Sequence, residues 1–413
     1  MDMDFHPWLE WLDDQYQEML EQTIELANIN SDSLNAAGVN EVGRRLASYC
    51  QQRLGVEVRA LDVEPLDRVS DNGEHAIQTL GKALRISKRP HAPLRIFFCA
   101  HLDTVFAQDH PFQQCRWLDA HTLNGPGVTD LKGGILVMIK ALQAFERSPW
   151  ADQIGWEILF NPDEEIGSRS SAPLIAQAAQ GCHLGMIYEP CFADGHLAGR
   201  RKGSGNFTVV VRGRAAHAGR EHHLGRNAIR AMSDFISALD NLNDQRPGLT
   251  INPGFIQGGG AVNSVPDLCL CRFNVRLQEP GDDRWFQQQL DALIADIGQR
   301  DGISIELNGG FTRQPKILNH ANRQLFELAI DCGTALGMAL QYMPTGGCCD
   351  GNNLSTLGIP NIDTLGVQGG GIHSSAEFLK VASLTERAKL SALILMRLAS
   401  SDDLSWLSMP KRK

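Results

Sequence analysis

The sequence predicts an α/β protein whose mostly parallel sheet is interrupted by an inserted, smaller α+β domain. A chain of 413 residues is longer than one hydrophobic core usually serves, which favours two domains. Helical and strand patterns alternate in the first half, change near residue 203 and alternate again from about residue 316. We therefore expect one domain built from residues 1–202 and 316–413, and a second from residues 203–315.

The elements of the first domain follow from the spacing of its apolar residues. Apolar positions at helical spacing predict helices, and short apolar runs predict buried strands that helices cover. The predicted helices lie at 8–29, 41–53 and 130–145 and in the stretch FELAIDCGTALGM, and the predicted strands lie at 94–100, 155–160, 184–188 and 361–367.

The second domain has a different order of elements, β-α-β-β-α-β, which is the ferredoxin-like arrangement. Its strand at 267–277 alternates cleanly: Cys269, Cys271, Phe273, Val275 and Leu277 share one face, and Arg272, Asn274 and Arg276 share the other. The elements are strands at 206–213, 250–257, 267–277 and 303–307 and helices at 227–242 and 282–298.

Composition excludes several classes of protein. The net charge of 38 − 48 = −10 argues against a non-specific nucleic-acid binder, and no apolar run approaches the roughly 18 residues of a membrane helix. The N-terminal MDMDFHPWLEWLDD lacks the basic and apolar regions of a secretory signal, and ten cysteines without a CxxC indicate reduced thiols. We expect a cytoplasmic protein without nucleic-acid or membrane partners, although a mature chain trimmed of its signal would look similar.

His101 directly follows a predicted buried strand, in CAHLDTV, with Asp103 two residues later. In open α/β sheets the ligand crevice lies beyond the carboxyl ends of the strands. A His-x-Asp on extended backbone puts both side chains on one face, so Asp103 can orient the imidazole. An isolated motif of this kind is more often an ordinary surface loop.

Four further features occupy equivalent positions. Asp130 comes after a glycine-punctuated turn at the start of a predicted helix, where a simple N-cap is the more ordinary explanation. Glu164 and Glu165 end the third strand, Glu189 ends the fourth, and His373 lies in the glycine-rich GGGIHSSAEF. Each feature is weak alone, but so many at strand ends or adjacent turns are hard to attribute to chance.

Two histidines and several carboxylates, without cysteine, suit Zn²⁺, and Co²⁺ and Mn²⁺ also fit. About three protein ligands hold one metal, so five suffice for two metals if one carboxylate bridges. The remaining acid of the Glu164–Glu165 pair would then be the general base for the water that two metals share. Spacing alone leaves open which glutamate has which role.

Seven motifs in order across most of the chain resemble the dinuclear zinc amide hydrolases and exopeptidases. This family includes glutamate carboxypeptidase, acetylornithine deacetylase, succinyl-diaminopimelate desuccinylase and aminoacylase, and the resemblance is nearest to the first branch. It implies a catalytic metallopeptidase domain with an inserted dimerisation or lid domain. The motifs are HLDTV (101–105), GPGVTDLKGG (125–134), DEEIGS (163–168), YEP (188–190), RAAHAG (214–219), the region of Asn263 and Arg276, and GGGIHS (369–374).

The resemblance implies two Zn²⁺ ions and a ligand set for each. His101, Asp130 and Glu189 would hold one ion, and Asp130, Glu165 and His373 the other, with Asp130 as the bridge.

The resemblance also implies catalytic and substrate-binding roles. Glu164 would be the general base, Asp103 the partner of His101, and His217 a residue that crosses a dimer to stabilise the oxyanion. Arg276 would hold a substrate carboxylate through two hydrogen bonds. The implied substrate-binding residues are Asn263, Arg276, Gly347 and Gly371.

One stretch departs from the family pattern. In TGGCCDGNN, Cys348 and Cys349 stand where the family usually has a small hydroxylated residue before the aspartate. We expect inert lining, because free cysteine most often behaves as a small buried hydrophobe. Metal sequestration and oxidation are the alternatives.

The expected function is hydrolysis of an amide or peptide bond next to a free carboxylate in a small-molecule or peptide substrate, by a homodimer joined through the inserted domain. An N-acyl-amino-acid deacylase is the alternative within this class. A single-metal enzyme would be recognised by its metal content. A non-catalytic metal-containing binding protein is disfavoured, because every expected site position is filled.

Overall fold

The structure, a computed structural model, describes residues 4–407. The helices are α1 (His6–Glu10), α2 (Tyr16–Ala27), α3 (Ala36–Leu54), α4 (Gly133–Glu146), α5 (Ala172–Ala178), α6 (Ala228–Asp240), α7 (Asp282–Gly298), α8 (His320–Ala335), α9 (Asp350–Thr356) and α10 (Ser383–Ala399). The strands are β1 (Arg59–Leu61), β2 (Leu66–Val69), β3 (His75–Gln78), β4 (Ala83–Lys88), β5 (Leu94–His101), β6 (Arg116–Asp119), β7 (Thr122–Asn124), β8 (Ile154–Asn161), β9 (Leu184–Ile187), β10 (Leu197–Arg201), β11 (Gly203–Arg212), β12 (Thr250–Gly258), β13 (Leu268–Leu277), β14 (Ser304–Arg313), β15 (Tyr342–Thr345), β16 (Asn361–Ile362), β17 (Gly369–Gly370) and β18 (Phe378–Lys380).

The central sheet has the strand order β1-β4-β8-β5-β9-β16. The pairs β8–β5, β5–β9 and β9–β16 are parallel, and β1–β4 and β4–β8 are antiparallel. Along β5, Ile96 and Phe98 pack into one buried cluster while Phe97 and Cys99 pack into another, so both faces of the sheet are covered. The predicted mostly parallel sheet is confirmed.

A second sheet has the order β12-β13-β11-β14 and is antiparallel throughout. Together with α6 and α7 it forms a separate hydrophobic core that contains Phe207, Phe235, Phe273 and Phe286. This is the strand order of the predicted ferredoxin-like arrangement. Residues 203–315, which contain these elements, are called the inserted segment below.

The chain enters and leaves the inserted segment at neighbouring points. Arg201 and Lys316 form an antiparallel backbone bridge, with N–H···O distances of 3.2 and 3.0 Å. Their side chains both donate to Oδ2 of the buried Asp363, at 2.8 Å each. The two connections are therefore held to each other and to the main body of the protein.

Two elements differ from the sequence prediction. The helix predicted at 8–29 is two helices, α1 and α2, joined by a 3₁₀ turn at Asp13–Gln15. The strand predicted at 361–367 is only β16, because beyond it the chain turns so that Gly366 lies tightly against the carbonyl group of Tyr188. Within residues 4–407, no helix combines the length and apolar character needed to cross a membrane.

Candidate metal centre

His101, the last residue of β5, is buried against Asp130. Its Nε2 lies 3.1 Å from Asp130 Oδ1, and its Nδ1 lies 3.0 Å from the backbone carbonyl oxygen of Asp103 and 3.4 Å from Asp103 Oδ1. An N–H at Nδ1 that donates to Asp103 leaves the Nε2 lone pair facing the cluster. Asp103 thus orients the imidazole, and its backbone carbonyl is the nearer acceptor.

The Asp103 carboxylate also holds the loop that carries the adjacent glutamates. It accepts hydrogen bonds from Ser33 Oγ at 2.6 Å and from the backbone amides of Glu164 and Glu165 at 3.2 and 3.1 Å. Burial would raise the pKa of Asp103, but the hydrogen bond with His101 and the charge of that imidazole outweigh it and keep the pKa low. One ionised carboxylate therefore joins the ends of β5 and β8.

Asp130 does not cap a helix, so the simple N-cap explanation is wrong. Its backbone is non-helical (φ −117°, ψ 81°), α4 begins at Gly133, and Lys132 occupies the cap position. Asp130 Oδ1 faces His101, while Oδ2 lies 3.3 Å from Nε2 of His373. A carboxylate whose two oxygens face different imidazoles has the arrangement of a bridging ligand.

Glu377 positions Asp130, and sequence reasoning did not identify it. The backbone amides of Gly127, Thr129 and Asp130 donate to its carboxylate at 3.0, 2.9 and 3.0 Å. Burial, and then the charge of Asp130, raise the pKa of Glu377 to about 7. Glu377 lies in the glycine-rich stretch that predicted His373, but only the fold brings it beneath the Asp130 turn.

Glu165 and His373 complete the cluster on its outer side. Glu165 Oε2 lies 3.1 Å from His373 Nε2, and ligand atoms of His101, Asp130 and Glu165 all lie within 4.8 Å of one another. His373 is in the loop between β17 and β18, has a φ of 61°, and leaves 54% of its side chain exposed. It therefore lies at the rim of the site, whereas His101 lies at its base.

A cleft of about 360 Å³ opens onto this cluster. Its acidic wall contains Asp130, Glu164, Glu165 and Glu189. The rest of the lining is largely small or apolar and includes Pro190, Cys191, Phe192, Ala193, Ala198, Gly347, Cys348 and Ile372.

The concentration of acid is the dominant electrostatic feature. Burial raises the pKa of Glu164 to about 7, and burial with the charge of Asp130 raises the pKa of Glu165 to about 8. Burial, and then the charge of Glu164, raise the pKa of Glu189 well above its usual range. Carboxylates and imidazoles that converge on one point with excess negative charge fit divalent cations, so these residues suit a metal site.

Arg313 is a second residue that sequence reasoning missed. It ends β14, and its Nη2 donates to Glu164 Oε1 at 2.7 Å. No motif marked it, because the contact joins residues that are 149 positions apart.

The predicted substrate-binding residues fall into two groups. Gly347 lines the cleft, Gly371 (φ 65°) lies two residues before His373, and Arg276 Nη1 lies 3.2 Å from Cys348 Sγ at the cleft wall. Cys349 is buried and caps α9.

His217 and Asn263 form the other group. Both are exposed on the inserted segment, next to each other, with the amide of Ala218 donating to the Asn263 carbonyl oxygen at 2.9 Å. Within the part of the chain that is described, neither residue belongs to the cleft lining. A single chain therefore does not bring them to the metal centre.

Comparison with known proteins gives consistent results. The model of peptidase family M20/M25/M40 matches residues 97–397. Carboxypeptidase G2 of a Pseudomonas species is 27% identical over 313 residues, which cover 74% of each chain. Succinyl-diaminopimelate desuccinylase of Leptothrix cholodnii is 27% identical over 388 residues, which cover 89% of this chain and 94% of that enzyme. The fold is similar to that of an M20 family metallo-carboxypeptidase from Sulfolobus solfataricus (TM-score 0.73, 16% identity, 92% and 98% of the two chains covered).

Proposed function

The chain belongs to peptidase family M20/M25/M40 and is a metal-dependent hydrolase of amide bonds, and from this premise we propose that it is an exopeptidase cutting next to a free carboxylate. The observation that carries the proposal is the contrast among three arginines near the cleft. Arg201 is paired with Asp363, and Arg313 with Glu164. Arg276 has no carboxylate within ion-pairing distance among residues 4–407, and its Nη1 lies 3.2 Å from Sγ of Cys348, which lines the cleft.

The free guanidinium of Arg276 matches a substrate carboxylate. A guanidinium binds a carboxylate through two parallel hydrogen bonds, which orients the substrate as well as attracting it. Gly347, beside Cys348 in the same wall, leaves room for the substrate because glycine has no side chain. Gly371 is proposed to allow the tight turn before His373, because its φ is 65° and a side chain there would meet the backbone of Ala376.

The proposed metal content is two Zn²⁺ ions, with Co²⁺ or Mn²⁺ as substitutes. His101, Asp130 and Glu189 hold one ion, and Asp130, Glu165 and His373 hold the other. The count of two is supported by the carboxylate of Asp130, whose oxygens face His101 and His373 separately. Bound divalent ions polarise the scissile carbonyl group and lower the pKa of water towards neutrality.

Glu164 moves the proton in this proposal. Its carboxylate lines the cleft beside the proposed ligands, and burial raises its pKa to about 7. A carboxylate with this pKa accepts a proton from the attacking water and releases it to the leaving nitrogen near neutral pH. Glu165, bonded to His373, remains with the metal.

The complete enzyme is proposed to be a homodimer formed by the inserted segment, which acts as the dimerisation domain. This is supported by the exposure of apolar side chains on and beside the sheet-edge strand β12, among them Ile256, which is 54% exposed, and Val262. His217 and Asn263 lie in the same exposed region. In the dimer they complete the site of the partner, where His217 stabilises the oxyanion.

A deacylase acting on N-acyl amino acids is the second candidate. The small side chains of Cys191, Ala193 and Ala198 in the cleft fit a compact acyl group. Both candidates use the same metals and the same contact between Arg276 and the carboxylate. We place the enzyme in the cytoplasm, which agrees with ten unpaired cysteines.

The deciding experiment is an assay of the zinc-loaded protein against N-acyl amino acids and dipeptides. Each substrate is paired with its C-terminal amide, and each reaction is repeated with a chelator. We expect turnover only of substrates with a free carboxylate, and loss of turnover with chelator. Equal rates on the C-terminal amides would refute the proposed substrate carboxylate, and preference within the panel separates exopeptidase from deacylase.

A further inference from the structure

Arg313 connects the inserted segment to the catalytic site. It is the last residue of β14, only 5% of it is exposed, and its Nη2 points to Glu164. That nitrogen lies 2.7 Å from Glu164 Oε1 and 3.3 Å from the Glu164 backbone oxygen. Nη2 of Arg313 therefore contacts both the carboxylate and the backbone carbonyl group of Glu164.

The guanidinium is itself held from the other side. Nη2 lies 2.9 Å from Ser168 Oγ and 3.3 Å from Asp350 Oδ1. Asp350 is fixed in turn, because Ser168 Oγ donates to it at 2.6 Å and Asn161 Nδ2 at 2.8 Å. All of these partners are buried, so Nη2 of Arg313 has a defined position.

This placement separates Arg313 from a substrate-binding arginine. Its charge is compensated by Glu164 and Asp350, whereas Arg276 is free of carboxylates in the described part of the chain. A substrate carboxylate would compete with these buried ion pairs at Arg313 but not at Arg276. Arg313 Nη1 also lies 3.8 Å from Cys348 Sγ, the sulfur that Arg276 contacts, so the buried ion pairs, and not the distance from the cleft, separate the two arginines.

We propose that Arg313 is a positioning residue that orients the carboxylate of Glu164 for proton transfer and couples that orientation to the inserted segment. The inference rests on the proposed role of Glu164 as the base. A glutamate side chain has three rotatable bonds, and the contact at Oε1 removes that freedom at the reacting end. All four oxygen contacts are made by Nη2, and lysine keeps the charge but carries it on a shorter, flexible stem that does not hold a nitrogen at that point.

The test compares Arg313→Ala and Arg313→Lys with Arg246→Lys, a control whose ion pair to Asp282 lies within the inserted segment. Metal content, kcat and KM are measured for the zinc-loaded dimer. We expect Arg313→Ala to lower kcat about 100-fold, since a misplaced catalytic group costs about this much. KM and metal content should stay close to those of the unchanged protein, and added guanidinium ion should raise the rate of Arg313→Ala, because it returns a cation to the vacated position. Arg246→Lys should keep normal kinetics.

Several results would overturn the inference. A raised KM with unchanged kcat would make Arg313 a substrate-binding residue, and loss of metal would make its role structural. If Arg313→Ala does not fold, Arg313→Lys decides, and a normal kcat in that variant refutes the positioning role. Failure of the proposed function is distinguishable, because the unchanged protein would then be inactive on the substrate panel or Glu164→Gln would remain active.

Discussion

Replacing Glu164 by glutamine tests the proposed division of labour between the adjacent glutamates. Glutamine has nearly the same volume and keeps an oxygen that can accept the 2.7 Å hydrogen bond from Arg313. It cannot accept the proton of the attacking water. The substitution therefore removes the base while leaving its contacts in place.

The expected magnitude follows from the loss of general-base catalysis, which contributes about 10²- to 10⁴-fold to a rate. This corresponds to about 3–5 kcal/mol of transition-state stabilisation. Glu164 is the base proposed for the attacking water, so we expect a loss within this range. KM and metal content should not change, because Glu165 and not Glu164 contacts His373.

Asp130→Asn is the contrasting variant. Both oxygens of Asp130 face imidazoles, and asparagine replaces one of them with an N–H donor that cannot bind a cation. We expect this variant to lose metal, and activity with it. Steady-state kinetics together with metal analysis of the purified proteins distinguishes the two effects.

Two results would refute the reasoning. Turnover by Glu164→Gln within about tenfold of the unchanged enzyme is too fast for loss of the base. Metal loss in Glu164→Gln as large as that in Asp130→Asn would show that Glu164 is a ligand, and the roles of Glu164 and Glu165 would have to be exchanged.

Three further outcomes follow from the same site. In the chelator-treated protein the pKa values of Glu164 and Glu165 are about 7 and about 8, above the ordinary 4.5, so the folded state keeps protons that the unfolded state has released. The free energy of unfolding should then fall between pH 5.5 and 8, by about 1.4 kcal/mol per pH unit for each retained proton, and denaturant titrations that show it rising would contradict this. Glu377→Ala leaves three backbone amides around Asp130 without their acceptor, so metal affinity measured by competition should fall about 10- to 100-fold, and an unchanged affinity would argue against the support role. When His217→Ala and Glu164→Gln protomers are mixed and reassembled, about half of the dimers contain one of each, and each such dimer has one intact site out of two. About a quarter of full activity should therefore return, whereas no recovery would refute the crossing of His217.

Local sequence patterns were enough to predict the fold class and to point to the proposed ligands. Strand patterns depend on apolar residues close together in the chain, so β5, β8 and β9 could be recognised locally. Parallel strands bring their carboxyl ends to one edge, which is why His101, Glu165 and Glu189 could be expected together. The break between α1 and α2 and the short β16 were missed, because local periodicity does not show where packing ends an element.

The residues that orient this site became visible in the folded protein. The sequence around Asp130 suggested a helix cap. In the structure its backbone is non-helical, and its amide donates to the carboxylate of Glu377, which is 247 positions away. Arg313 reaches Glu164 across 149 positions, from a strand of the inserted segment. Such contacts leave no periodic signal in the chain, because the topology of the fold and not the local sequence decides which distant residues meet. The residues that carry the chemistry stand in local motifs, whereas the residues that hold them in position are found through long-range packing.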